Sequence, residues 1–258
     1  MQGGKIMSIA IITGASSGLG KEFLKQTAAV YPEIEEIWVI ARRLEKLEEL
    51  QEDLPNYKIV PIKLDLTEES AYISFQDCLA KKRPDIKLMI NNAGFGKLCD
   101  FAETPYRDHM LQCDLNVRAL TVMTNLVLPY MRPGAAVIEV CSIAAFVPTP
   151  NMTVYCSTKA YVLSFAKALR TELRSRKINV LAVCPGPMAT EFLDVAEITG
   201  NSKLFDSLPY CQADQVAYKA LRAAKKGRGV YTNKVLYKVY RVLGKILPHN
   251  WMMHFTKA

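Results

Sequence analysis

Tyr155 and Lys159 stand four residues apart in the run Tyr155-Cys156-Ser157-Thr158-Lys159, and only this one of the 12 tyrosines has a lysine at that spacing. On a helix the spacing sets phenol and ammonium on one face. An ammonium beside a phenol favours the phenolate, so the pair is expected to lower a pKa that ordinarily lies near ~10 and to make Tyr155 an acid or base near neutrality. Ser142 closes an upstream apolar run, AAVIEVCS, and supplies a second hydroxyl. Two hydroxyl donors aimed at one oxygen would stabilise negative charge that grows there and provide a proton. A Tyr-Lys pair also arises by chance in a chain of this composition, so its place in the fold has to decide its meaning.

A second chemistry-bearing stretch lies near the N-terminus. Thr13-Gly14-Ala15-Ser16-Ser17-Gly18-Leu19-Gly20 follows an apolar strand and opens the helical run KEFLKQTAAV. Glycines in that setting let a pyrophosphate approach the backbone and rest on amides at a helix N-terminus. The next apolar run ends in Ala41-Arg42-Arg43. A carboxylate there would hold a ribose 2′-hydroxyl and repel a 2′-phosphate; two guanidiniums suit the phosphate, so NADP is the expected cofactor. Ser16 could add a hydroxyl to the same phosphate. Asp65, with Leu66 beside it, ends the third run and could cap a helix before Glu68 and Glu69.

The elements that must position these groups are legible as alternating patterns. Short β-branched runs at Ser8–Thr13, Ile37–Ala41, Lys58–Leu64, Leu88–Asn91, Ala135–Ser142, Ile178–Cys184 and Val230–Thr232 read as buried strands. Between them lie amphipathic stretches such as Leu44–Leu54 and Tyr161–Ser175. Strand and helix in alternation predict an α/β fold, a single-domain Rossmann-type doubly wound parallel sheet with helices on both faces. Ligands in such sheets bind at strand carboxyl ends, where Ser142 and the glycine turn are placed. One irregular insertion, from Pro185 to about Asp214, contains Gly186, Pro187, Gly200 and Pro209 and is long enough to be functional.

Taken in order, the glycine turn Thr-Gly-x-x-x-Gly-x-Gly, Asn91-Asn92-Ala93-Gly94, Asn116, Ser142, Tyr155, Lys159 and Pro185-Gly186 resemble the short-chain dehydrogenase/reductase family over roughly residues 6 to 232. The resemblance implies that Tyr155 exchanges a proton with the substrate oxygen and Ser142 orients that oxygen. It implies that Lys159 holds the nicotinamide ribose and that Asn116 supports a water relay to Lys159. It further implies cofactor contacts from Gly14, Ser17, Gly18, Leu19, Gly20, Asn92, Ala93, Gly94, Pro185, Gly186 and Thr190, with the Asp65 carboxylate on the adenine amino group. A homodimer or homotetramer is the assembly it suggests.

Composition narrows the rest. The 258 residues carry 33 basic and 25 acidic side chains, a net of +8, and 50% hydrophobic residues, as in a globular protein. No acidic residue follows Asp214, whereas ten basic ones do; residues 1–214 therefore hold 23 basic against 25 acidic. The excess is C-terminal and has no nucleic-acid motif around it, which argues against nucleic acid as partner. Seven cysteines without a Cys-x-x-Cys pair, and an N-terminus without a signal-peptide pattern, predict a cytoplasmic protein in a reducing compartment. Three histidines without ligand spacing predict no metal site.

Residues expected to wall a substrate pocket are apolar: Phe95, Leu98, Ile143 to Val147, Met188, Phe192, Leu193 and Phe205. They suit a hydrophobic alcohol or ketone, a hydroxysteroid or bile-acid-like compound first and a 3-oxoacyl compound second. A non-catalytic NADP-binding sensor or scaffold is the alternative of another class. The chain divides into residues 1–233, the NADP-binding domain, and residues 234–258, a basic amphipathic extension. In the extension Lys234, Lys238, Arg241 and Lys245 recur at helical spacing on one stripe, and Val235, Val239, Val242 and Ile246 with Leu236, Leu243 and Leu247 supply a broad apolar face. Three roles stay open for it: packing on its own domain or a sister subunit, association with a membrane surface, and a flap over the pocket.

Overall fold

The computed structural model describes residues 7–55, 57–198 and 202–256; Gly200 of the insertion and Lys257 of the basic tail lie outside the described residues. The chain runs β1 (Ser8–Thr13), α1 (Gly18–Val30), β2 (Glu36–Ala41), α2 (Leu44–Glu48), α3 (Leu50–Asp53), β3 (Lys58–Lys63), α4 (Glu69–Lys82), β4 (Asp85–Asn91) and α5 (Tyr106–Cys113). It continues through α6 (Leu120–Val127), β5 (Ala136–Val140), α7 (Thr153–Glu172), β6 (Asn179–Val183), α8 (Glu191–Val195), α9 (Lys203–Ser207), α10 (Ala213–Lys225), β7 (Val230–Tyr231), α11 (Val235–Ile246) and α12 (His249–Met252).

The seven strands form one parallel sheet in the order β3-β2-β1-β4-β5-β6-β7. The order in which successive strands are added reverses between β1 and β4, and the crevice at that switch lies over their carboxyl ends. Both faces of the sheet are covered, which is why its strands read as nearly continuous apolar runs. On one face α1 and α10 bury Phe23, Leu24, Val216 and Leu221 against Ile12, Val39 and Val183; on the other α4, α6 and α7 bury Phe75, Met123 and Val162 against Ile11, Met89 and Val180. Each such side chain contributes roughly 1.5–3 kcal/mol by leaving water.

Several elements differ from their sequence patterns, among them α7, which begins at Thr153 rather than Tyr161. β4 begins at Asp85 rather than Leu88, because Lys87 bonds the Asp85 carboxylate at 2.8 Å and lets both charged residues continue the strand beside Ser8. The helical run Leu44–Leu54 divides into α2 and α3. The insertion after Pro185 is not irregular throughout, since it contains α8 and α9. No helix among the described residues is long and apolar enough to cross a membrane.

Candidate active site

The end of β1 is tied to the end of β4 through side chains. Thr13 Oγ1 accepts hydrogen bonds from the amides of Asn92 and Ala93, each at 3.0 Å, and Asn92 Nδ2 donates to the carbonyls of Thr13 and Gly14 at 3.1 and 3.0 Å. Gly14 has φ +65°, and a Cβ there would press on Ala93 Cα at 2.8 Å. Glycine is required on both counts. A Cβ on Gly20 would strike the Gly14 carbonyl oxygen, so Gly20 seats α1 behind the turn and does not line the crevice itself.

The crevice opens into a cavity of about 650 Å³. Gly14, Ser16, Ser17, Gly18, Leu19, Arg42, Arg43, Asp65, Leu66, Asn92, Ala93, Gly94 and Thr190, which lies against Gly18, line one arm of it, and Ser142, Tyr155, Lys159, Pro185 and Gly186 the other. Arg43 Nη2 donates to Ser16 Oγ at 3.2 Å and to Glu191 Oε2 at 2.9 Å, and Lys46 Nζ donates to Glu191 Oε1 at 3.1 Å. These two cations hold the Glu191 carboxyl down at about 2. Sequence reasoning missed Glu191 and Lys46; the only signal was a carboxylate one residue past Thr190. Asp65 caps no helix, since Glu68 occupies the N-cap of α4; its Oδ1 instead accepts from the amide and hydroxyl of Thr67 at 3.0 and 2.7 Å.

At the other end of the cavity the Tyr155 ring packs on Gly96, where a Cβ would approach Cδ2 at 2.8 Å, and its centroid lies 5.6 Å from that of Phe192. Lys159 Nζ sits 5.7 Å from the Tyr155 centroid and donates to the Val140 carbonyl at 2.9 Å. The expectation of a lowered phenol pKa fails here. Burial raises the Tyr155 pKa above its ordinary value, and a hydrogen bond with Ser142 offsets only part of that rise. Lys159 does not offset it, because its ammonium is turned onto the β5 backbone. Burial in turn lowers the Lys159 pKa, partly opposed by Cys141, Cys184 and Glu139. The phenol is therefore neutral, the form that can donate a proton to a developing alkoxide.

Asn116 is buried in a π-helical turn, Asp114–Ala119, which joins α5 to α6 and widens the helix where the side chain must turn inward. Its Oδ1 accepts from the Phe95 amide at 3.0 Å, and its Nδ2 donates to the Phe95 carbonyl at 2.8 Å and to Thr158 Oγ1 at 3.1 Å. It does not line the cavity; it braces the Gly94–Phe95 strip against α7, one residue from Lys159. A third polar group near Lys159 escaped the sequence reading. Glu139 is wholly buried, accepts from Thr124 Oγ1 at 2.9 Å and Asn91 Nδ2 at 3.2 Å, and has its pKa pushed up to about 8 by desolvation.

Of the expected apolar wall, Phe95, Ile143, Ala144, Met188, Phe192, Leu193 and Phe205 line the cavity. Leu98 does not, being drawn into a small core with Tyr155 and Leu193, and neither do Ala145, Phe146 and Val147. Phe146 and Val147 are buried by the C-terminal helix, whose Gly244 lies so close that a Cβ would meet the Phe146 carbonyl at 2.7 Å. From the same segment Leu236, Tyr237, Tyr240 and Thr256 enter the cavity wall. Tyr237 is fully buried on Gly186 and donates to the Pro209 carbonyl at 2.8 Å.

A doubly wound sheet with a glycine turn at its switch point, and a buried phenol and ammonium with a half-buried hydroxyl at the far end of the same cavity, defines a Rossmann-type oxidoreductase. Comparison with known proteins identifies which kind. A family model described as short chain dehydrogenase matches residues 8–199. The NADP-dependent 3-hydroxy acid dehydrogenase of Schizosaccharomyces pombe is 32% identical over 204 residues, 77% of this chain and 78% of that protein. The very-long-chain 3-oxoacyl-CoA reductase of Bos taurus is 30% identical over 199 residues, 74% of this chain and 62% of that one. A short-chain dehydrogenase from Sphingobium yanoikuyae, solved in complex with NADPH, shares the fold at a TM-score of 0.78 and 23% identity, covering 94% of this chain and 97% of its own. The chain belongs to the short-chain dehydrogenase/reductase family, oxidoreductases that act on CH–OH groups.

Proposed function

We propose that the protein is an NADP(H)-dependent oxidoreductase that interconverts a hydrophobic ketone and its secondary alcohol, with a hydroxysteroid or bile-acid-like compound as substrate. The observation that carries the reading is the cavity itself: a neutral Tyr155 phenol with Ser142 and Lys159 at one end, and walls of Phe95, Phe192, Phe205, Leu236 and Tyr240 around it.

The residues of the other arm fit NADP. Arg43 and Lys46 already hold a carboxylate, so this donor set accepts an anion, and Arg42 and Ser16 stand beside it. Ser17, Gly18 and Leu19 at the start of α1 would take the pyrophosphate, with Asp65 and Leu66 at the adenine and Asn92, Ala93, Gly94, Pro185, Gly186 and Thr190 along the remainder. When bound, the nicotinamide supplies or receives the hydride. Tyr155 donates its proton to the carbonyl oxygen and Ser142 donates a hydrogen bond to that oxygen, while Lys159, whose ammonium is held on the Val140 carbonyl, would hold the nicotinamide ribose. Asn116 holds the Phe95 backbone and α7 in register for this. Removing the proton donor should cost ~10²–10⁴ in turnover while sparing cofactor affinity.

A 3-oxoacyl compound is the second reading, supported by the relatives whose names refer to 3-hydroxy acids and 3-oxoacyl-CoA. The presence of both Tyr155 and Lys159 in the cavity supports an enzyme over an NADP-binding sensor. We place residues 1–233 as the catalytic domain, residues 234–258 as an extension that closes the cavity, and the protein in the cytoplasm. Exposed Met110 and Leu111 on α5 and Tyr161 on α7 support a homodimer or homotetramer. NADPH oxidation with steroid ketones and with 3-oxoacyl thioesters tests the reading. Turnover on steroid ketones supports it, turnover on thioesters alone transfers it to the second class, and cofactor binding without turnover on either panel overturns it.

A further inference from the structure

The C-terminal helix has two apolar faces, and its own domain uses only one. Tyr237, Tyr240 and Gly244 turn inward onto Gly186, Phe146 and Val147, with Tyr240 and Phe146 ring centroids 6.1 Å apart. On the opposite side Val235, Val239, Val242 and Ile246, at steps of four, three and four, form one stripe and are 73, 49, 55 and 69% exposed. Trp251 and Phe255, 55 and 67% exposed, stack edge to face at 5.2 Å just beyond the helix.

A basic stripe runs beside the apolar one. Lys234, Lys238, Arg241 and Lys245 follow the same steps of four, three and four, offset along one flank, and no acidic residue follows Asp214 to neutralise them. A two-fold contact between copies of this helix would set like-charged stripes near each other without a counter-charge in the segment. An anionic lipid surface complements both stripes together, since the valines and isoleucine enter the acyl boundary while the lysines reach the headgroups. Exposed tryptophan and phenylalanine suit the same interface.

We propose that α11 and the residues after it dock the protein in the plane of a membrane surface rich in anionic lipid. Leu236 and Tyr240 of the docked helix, and Thr256 beyond it, line the cavity. Docking therefore brings the cavity to the place where apolar substrates concentrate. The proposal goes beyond the assignment of NADP(H) chemistry, and vesicle binding reads it without turnover.

The test is co-sedimentation of the full chain with phosphatidylcholine vesicles, alone or mixed with phosphatidylglycerol, alongside the Val239→Asp/Val242→Asp and Lys238→Glu/Lys245→Glu variants. None of these four side chains lines the cavity. The expected result is binding to the mixed vesicles, weakened roughly fivefold or more for each lysine removed, and lost at roughly 1 M salt, where the Debye length is about 3 Å. The valine pair should lower the bound fraction at least tenfold, by the exclusion of charge from the acyl boundary. Retained NADPH affinity in each variant reports that it is folded. Three results would overturn the proposal: no binding by the wild type, equal binding by both variants, or a light-scattering mass that falls from dimer to monomer in the valine variant.

Discussion

Glu191, the first residue of α8, closes an ion pair onto Arg43 at 2.9 Å across the mouth of the cofactor arm. The two residues lie 148 positions apart, and Lys46 joins them on the same carboxylate at 3.1 Å. On the proposed assignment of Arg43 to the 2′-phosphate of NADP, the carboxylate occupies donors that the phosphate would need.

Glu191→Gln should therefore bind NADPH more tightly than the wild type and NADH equally well. The three side chains are 42–48% exposed, so the pair is a solvated one, worth at most about 1 kcal/mol, or fivefold in affinity. Fluorescence titration with both cofactors checks this; weaker NADPH binding would mean that Glu191 orients Arg43 for the phosphate instead of competing with it.

Tyr155→Phe should reduce turnover by ~10²–10⁴ and leave the NADPH dissociation constant unchanged. Ser142→Ala should also reduce turnover, at unchanged NADPH affinity, because it removes one of two hydroxyl donors to the substrate oxygen. Steady-state kinetics beside cofactor titration separates the two effects. A Tyr155→Phe enzyme with near wild-type turnover would refute the assignment.

The pH profile should be asymmetric between directions. Burial keeps the phenol neutral above its ordinary titration range, so the proton donor for ketone reduction persists to at least about pH 9. Alcohol oxidation requires a deprotonated phenol and should accelerate as pH rises through the same interval. Measuring kcat in both directions from neutral to alkaline pH distinguishes this from a low-pKa phenolate, which would cut reduction off near neutrality.

Glu139 makes stability depend on pH. Its carboxyl titrates at about 8 when folded and ordinarily at 4.5, so the folded state retains a proton that the unfolded chain releases. The contribution is full below pH 4.5 and fades as pH rises toward 8, amounting to a few kcal/mol at most by order of magnitude. Thermal unfolding of Glu139→Gln should match the wild type near pH 5 and exceed it near pH 8. A gap that stays constant with pH would place the ionisation elsewhere.

Gly186→Ala should loosen the C-terminal segment, because the added Cβ would overlap the Tyr237 ring. Overpacking of this kind costs about 1–3 kcal/mol. A lower unfolding midpoint with faster proteolysis after Lys234 is the expected outcome. Proteolysis unchanged from the wild type would show that the segment is held by Tyr240 and Gly244 alone.

The strands, the glycine turn and the Tyr155–Lys159 spacing were all legible along the chain. Their signals are local: β-branched runs between amphipathic ones, a glycine at a positive φ, and two side chains one helical turn apart. Even Arg42 and Arg43 could be read from their position at a strand end. The ionisation of Tyr155 could not, because helical spacing states which side chains share a face and says nothing of how deeply that face is buried. Nor could the Arg43–Glu191 pair, which joins the starts of two helices, α2 and α8, that only the sheet topology brings together. The amphipathic character of α11 was legible as a basic stripe beside a broad apolar face, but the pattern did not say which side of the helix the domain would cover. Tertiary packing decided it by placing Tyr237 on Gly186 and Gly244 on Phe146, since only a side without a bulky Cβ admits so close an approach. The valines were left in solvent as a result.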